Sequence, residues 1–269
     1  MKPMPKTASS SINHCLRQRM FAILLLLQMA ACTSVPTTPD TAQGPSAKAS
    51  AETASTAGKP GVTATPFDTW QHYPLPGKQA TEFSFVQQDG RAVVAAFANA
   101  SASMLRQPIR VEAADLGKLQ FSWMVPQLIA HADMALRQTD DSPVRIVLAF
   151  EGDRSTFSMK NSMLSELSLA ITGEPLPYAT LMYVWCNTRA PGSVIINPRT
   201  DRIRTIVLES GAQRLSRWLD YERNVRADFE KAFGESAGAL VGIGIMTDTD
   251  NTQTKARAWY GPLHLAAGK

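Results

Sequence analysis

Pro143-Val144-Arg145-Ile146-Val147-Leu148-Ala149-Phe150 decides how the chain is read. Val144, Ile146, Leu148 and Phe150 recur at every second position, the period of a pleated strand. A helix would space its apolar residues three and four apart. Working outward, the same texture returns at 180–186, 193–196, 202–209, 240–246 and 257–265, and earlier at 81–86, 92–98, 104–111 and 118–125. Trp259, Gly261, Leu263 and Leu265 share one face of the last of these. Gln88-Asp89-Gly90 separates the first two strands as a turn, so they read as a hairpin.

Residues 161–172 and 213–233 break the pattern. Met163, Leu164, Leu167 and Ile171 stand at helical spacing ahead of Gly173, and Leu215, Trp218, Leu219, Val225, Phe229, Ala232 and Phe233 form a stripe closed by Gly234. Both are expected to be inserted helices packing on a sheet. About ten strands, few helices and no strand-helix alternation predict a mainly β fold, an antiparallel β-sandwich of jelly-roll form over residues 67–269.

Residues 33–66 are dominated by Thr, Ser, Ala, Pro and Gly and contain no aromatic residue. Such a segment buries too little apolar surface to offset its ordering entropy, and 32–66 reads as a tether. At roughly 5–6 Å × √n it would hold a domain about 30 Å from its attachment point. Upstream, Lys2, Lys6, Arg17 and Arg19 precede the apolar run 20–27, which leads into Met29-Ala30-Ala31-Cys32. The run is far short of the ~20 apolar residues of a spanning helix. Its basic, apolar, small-residue order is that of an export signal, and it resembles a bacterial lipoprotein signal over residues 1–31. That resemblance implies acylation of Cys32, and Thr33 in place of Asp after it implies the periplasmic side of the outer membrane. Cleavage near Ala30-Ala31 without acylation would instead release a soluble periplasmic protein.

The formal charge of +4 belongs to the leader. Removing its four basic residues from 27 leaves 23, equal to the 23 acidic ones, so the basic balance gives no support to nucleic-acid binding. With Cys15 in the leader and Cys32 acylated, only Cys186 remains, at the end of an apolar run where a buried structural thiol is expected. The four His residues stand singly, without zinc spacing. No nucleophile elbow, phosphate loop or dinucleotide fingerprint occurs.

The segments 121–125, 140–145, 176–185, 197–201, 223–225 and 246–252 together resemble the uncharacterised bacterial family numbered 3047 among domains of unknown function. The likeness covers nearly all of residues 67–269. The family carries no established activity, but its layout is similar to galactose-binding-like jelly rolls that bind carbohydrate. That step rests on fold, and fold does not determine function.

The most suggestive polar cluster is Asp248-Thr249-Asp250-Asn251-Thr252. Residues two apart in extended chain point the same way about 6.6 Å apart. Asp248 and Asp250 could therefore converge on a hard cation such as Ca2+, with Asn251 or Thr252 adding oxygen. The spacing is not an EF-hand, since Gln253 and Trp259 stand where Gly and Glu would be needed. The alternative is that these residues shape a turn. Arg145 and Arg204 alternate with apolar neighbours, which places them on a solvated sheet face or, in a concave site, as forks onto sugar hydroxyls. Among the aromatic residues, Tyr178 and Tyr260 are the exposed candidates for stacking on a sugar ring.

The resulting expectation is a lipid-anchored, non-catalytic binding domain for carbohydrate or cell-envelope glycan. Its ligand set is Arg145, Tyr178, Arg204, Asp248, Asp250 and Asn251, with Asp248 and Asp250 as metal ligands and Cys32 as the lipidation site. Two alternatives stay open: a glycan hydrolase, with Glu151, Asp153 or Glu209 supplying a carboxylate partner, and an envelope scaffold for protein partners. Ligand identity and oligomeric state are not legible.

Overall fold

The protein is seen in a computed structural model that describes residues 63–64 and 69–268. The leader, Cys32 and most of the tether lie outside the described residues. The chain lays down β1 (Thr63–Ala64), β2 (Gln71–Pro74), β3 (Glu82–Gln88), β4 (Arg91–Asn99), β5 (Ala102–Val111) and β6 (Leu116–Met124). β7 (Ser142–Phe150), α1 (Met159–Thr172), β8 (Ala179–Cys186), β9 (Val194–Ile196) and β10 (Ile203–Ser210) follow. β11 (Leu219–Asn224), α2 (Val225–Phe233), β12 (Leu240–Asp248), β13 (Lys255–Tyr260) and β14 (His264–Ala267) complete the domain.

These strands form two sheets. The first runs β1-β14-β6-β13-β4-β3, with β11 on the other edge of β6, and the second runs β2-β5-β12-β7-β8-β10-β9. Neighbours are antiparallel except β8 and β10, which run parallel, a departure from the all-antiparallel expectation. Turn chemistry sets the first hairpin: Asp89 and Gly90 both adopt positive φ, 52° and 75°, and Gln88 pairs with Arg91. Two consecutive left-handed residues give the turn a twist that matches its strands.

The two sheets face each other across an aromatic core. Val144, Ile146, Leu148 and Phe150 of β7 all enter it, as their alternation requires. Phe121 of β6 stacks on Tyr183 of β8 at 5.9 Å between ring centroids, joining the sheets. A smaller core of Met134, Val184, Cys186, Ile195 and Val207 lies on the opposite side of the second sheet. Met134 belongs to the segment between β6 and β7, so part of the sheet's outer face is also covered. Cys186 is buried there as a free thiol.

Three expectations about local structure change. The region 213–233 is not one helix: Leu219–Asn224 pairs with β6, and only Val225–Phe233 is helical. Asn224 accepts from the Ala227 amide at the helix start, and Gly234, at φ 70°, ends the helix in the left-handed region. Leu215, Trp218 and Leu219 fit helical spacing by coincidence of a loop and a strand. The other helix begins earlier, at Met159 behind a Ser158 cap, and buries Asn161 and Ser165 instead of its apolar residues. Lastly, Tyr260 is fully buried and Tyr178 nearly so, hence neither offers an open stacking face.

Candidate functional site

Arg145 points away from the main core, as its parity on β7 demands, yet it is only 4% exposed. Asp140 and Asp141 just before β7 and the turn after β12 close over it. Its Nε and Nη2 donate to the two oxygens of Asp248 at 2.8 and 2.9 Å, and Nη2 also reaches Asp140 Oδ1 at 3.1 Å. The Ser142 amide donates to Asp248 Oδ1 at 3.1 Å, because Asp248 stands opposite Ser142 in the β12–β7 register. Asp140 Oδ2 receives Arg199 Nη1 at 3.1 Å and Asn197 Nδ2 at 3.0 Å. Asn251 donates from its amide and side chain to Asp141 at 3.2 and 3.0 Å, and the Thr252 amide adds a third bond at 2.6 Å. Asp250 pairs with Lys78. Burial pushes the Asp248 carboxyl up to about 7, against the pull of Arg145. For Arg145, the loss of hydration is outweighed by attraction to Asp248 and Asp140, so the guanidinium is held charged.

Asp141, Asp248 and Asp250 bring carboxylate oxygens within 4.8 Å of one another, which makes them the candidate cation ligands among the described residues. Each already meets donors of the chain itself: Asp248 takes Arg145 and Ser142, Asp141 takes the 251–252 turn, and Asp250 takes Lys78. The positive charge these acids meet is the chain's own. The donor set fits a self-neutralised clasp joining β7, β12 and their loops better than a divalent cation cage.

Tyr178 and Arg204 lie elsewhere. β7 and β8 run antiparallel with Arg145 opposite Val184 and Phe150 opposite Ala179, so Tyr178 sits about 20 Å along the sheet from Arg145. Its ring stacks on Phe157 at 5.6 Å, lies 4.0 Å beneath the Arg202 guanidinium, and its hydroxyl donates to Glu235 at 3.2 Å. Arg204 donates to the Asp201 carbonyl at 2.8 Å and lies over Phe233. The six expected ligand residues therefore do not form one site. Arg145, Asp248, Asp250 and Asn251 come together, and Tyr178 and Arg204 do not join them.

A different surface gathers polar groups in the open. On β11, Leu219 and Tyr221 turn toward the core, which leaves Asp220 and Glu222 on the outer face of the first sheet. Glu222 pairs with Gln120 of β6, which pairs in turn with His264 of β14; one step along, Asp220 stands opposite Ser122. With strands about 4.8 Å apart and alternate residues about 6.6 Å apart, these five side chains make a grid roughly 10 Å wide. Gln120, Ser122, Asp220, Glu222, Pro262 and His264 line an open cleft of about 430 Å³. Beside it, a Cβ on Gly261 would lie 2.1 Å from Ser122 Oγ. Lys118 and Gln120 donate to Glu222 at 2.5 and 2.8 Å. Those hydrogen bonds hold its carboxyl below the usual glutamate range. Each carboxylate has about four lone-pair sites, so Glu222 retains acceptors facing the cleft. None of these residues belongs to the expected set. The signal for them was the alternation Leu219-Asp220-Tyr221-Glu222, hidden by reading the stretch as helix.

The family model described as "Protein of unknown function (DUF3047)" matches residues 68–264. No curated protein matches the chain. Among solved structures, the chain is similar to a low-affinity xylan-binding module, CBM86, from Roseburia intestinalis. That likeness has 9% identity and a TM-score of 0.30, and covers 77% of this chain and 96% of that one. It is also similar to the xyloglucanase domain of NopAA, a type three effector from Sinorhizobium fredii, in complex with cellobiose. There the identity is 8%, the TM-score 0.38, and the coverage 77% and 98%. At 8–9% identity these likenesses say nothing of any residue's role.

Proposed function

We propose that this member of the DUF3047 family, to which the chain belongs, is an envelope-anchored lipoprotein whose β-sandwich binds carbohydrate without turning it over. Cell-envelope glycan is the favoured ligand. The observation that carries the reading is the grid of Gln120, Ser122, Asp220, Glu222 and His264 around one open cleft. Sugars present rows of hydroxyl donors and acceptors a few ångströms apart, and a flat array of carboxylate, amide, hydroxyl and imidazole groups offers partners at that spacing. Glycoside hydrolysis needs a carboxyl kept protonated to act as acid. Glu222 is instead held as a carboxylate by Lys118 and Gln120. Asp248, whose carboxyl is pushed up to about 7, is buried under Arg145, which favours binding over turnover.

Retention on insoluble peptidoglycan and in gels containing lipopolysaccharide or soluble polysaccharide tests the binding. The pair Gln120→Ala with Glu222→Ala removes two exposed side chains, and should weaken retention about tenfold or more, given ~1.5–3 kcal/mol for a hydrogen bond to a charged group. Its melting temperature should stay close to that of the parent. A folded parent chain retained by none of these glycans refutes the proposal. Incorporation of labelled palmitate into the wild-type chain, abolished by Cys32→Ser, tests the anchor.

A further inference from the structure

Helix α1 is built inside out. Its buried positions, Asn161 and Ser165, are polar: Asn161 donates to Asp201 at 2.7 Å and accepts from Thr200 at 2.8 Å. Met159, Met163, Leu167 and Ile171, four residues apart in succession, lie on one side and are 55–82% exposed, and Leu169 is half exposed. At 100° per residue these four span about 120° of the helix, with Ala170 among them and Lys160 as the one charge inside the stripe. An apolar face of that width normally turns toward a core. Here it faces outward, so something else must receive it.

Two quantities choose the occupant. Fourteen residues at 1.5 Å rise make a helix about 21 Å long and about 10 Å wide. The stripe therefore offers on the order of 200 Å², against about 800 Å² per partner in a stable protein interface. A second copy of the chain is not held by so little. A bilayer needs far less of an area when the protein is already tied to it, because tethering replaces a bimolecular encounter by a high local concentration. The chain outside the described residues runs back to Cys32, and its tether reaches about 30 Å. The far end of α1 also sits beside the strand that follows the tether: Glu174 takes Arg106 in two bonds of 2.8 Å, and Arg106 lies 3.7 Å above the Tyr73 ring of β2.

We propose that α1 is a membrane-docking helix that lays its exposed stripe into the headgroup region of the bilayer to which the chain is tethered. The inference rests on the anchoring reading above. Docking would hold the domain flat against the membrane, with its glycan cleft in a defined orientation. A helix lying in the interface buries its apolar face about 5–10 Å deep without crossing.

The test uses residues 32–269 coupled through Cys32 to a maleimide-bearing lipid in vesicles of phosphatidylethanolamine and phosphatidylglycerol, so that the tether is present whether or not cells acylate the chain; Cys186 is buried and does not compete. Amide hydrogen exchange over 159–172 should slow about tenfold or more on coupling, and Met163→Glu with Leu167→Glu should abolish the slowing. Should that pair melt early, Met159→Ser with Ile171→Ser serves as the second variant. No slowing in the parent, or equal slowing in parent and folded variant, overturns the proposal. So does a dimer of the uncoupled chain in sedimentation velocity that either pair disperses, since the stripe would then belong to a second copy. Palmitate labelling of the wild-type chain reports on the anchor separately: absence of label with the slowing intact removes the natural tether and leaves the helix.

Discussion

Asp248→Ala should be among the most damaging single changes to this domain's stability. Asp248 and Arg145 each have side chains 4% exposed and are joined by two charge-assisted bonds of 2.8 and 2.9 Å. Removing one partner of a buried pair costs about 3–5 kcal/mol, because the remaining charge is left uncompensated. Asp140 stays within 3.1 Å of Arg145 Nη2, but it is shared with Arg199 and Asn197. That second partner sets the loss near the lower bound, about 3 kcal/mol. For a domain of this size each kcal/mol is worth about 2–4 °C, so the melting temperature should fall by about 6–12 °C. Urea unfolding followed by tryptophan fluorescence reads the change through Trp123 and Trp185, both buried in the core. The diagnostic partner is Arg145→Met with Asp248→Leu. It removes both charges together and should be less destabilised than the sum of the single changes by about 2 kcal/mol or more. A loss below about 1 kcal/mol for Asp248→Ala, with strict additivity in the double variant, would show that the network does not hold the loops.

Three further outcomes are expected. Calcium and EDTA should each move the melting temperature by less than about 1 °C, because Arg145 and Lys78 already neutralise Asp248 and Asp250; a calcium-dependent rise of several degrees would restore the cation reading. Stability should fall in acid solution. Asp133 and Glu174 have carboxyls held down by hydrogen bonds to Arg189 and Arg106, so their contribution is present above about pH 4 and lost as pH falls. Melting curves taken from neutral to strongly acid solution check this, and a melting temperature that does not fall below about pH 4 contradicts it. Gly261→Ala should cost about 1 kcal/mol or less, since inside 3.4 Å its Cβ meets only the Ser122 hydroxyl, which can turn about χ1. A loss in urea unfolding of about 3 kcal/mol or more would show that the serine cannot turn away.

Alternation along 143–150, the Asp-Gly turn at 89–90 and the glycine caps at 173 and 234 were legible because they are local. A strand's period and a residue's tolerance of positive φ depend on the chain's own geometry, whatever lies around it. The mainly β sandwich, the first hairpin and the two helix ends follow from such rules. The region 213–233 resisted them because Leu219, Val225, Phe229 and Phe233 satisfy helical spacing while pairing with β6 claims Leu219–Asn224. That misreading concealed the cleft, since Asp220 and Glu222 come to one face only if the segment is extended.

Which way each polar side chain meets water was decided by tertiary structure alone. Arg145 has the parity of a solvated strand residue, and it is buried because the segment between β6 and β7 and the turn after β12 fold over that face. The apolar stripe of α1 has the spacing of a core contact, and it is exposed because Asn161 found Asp201 and Thr200 beneath the helix. Periodicity states which residues share a face. Burial depends on what another, distant part of the chain lays over that face, and no local pattern carries that information.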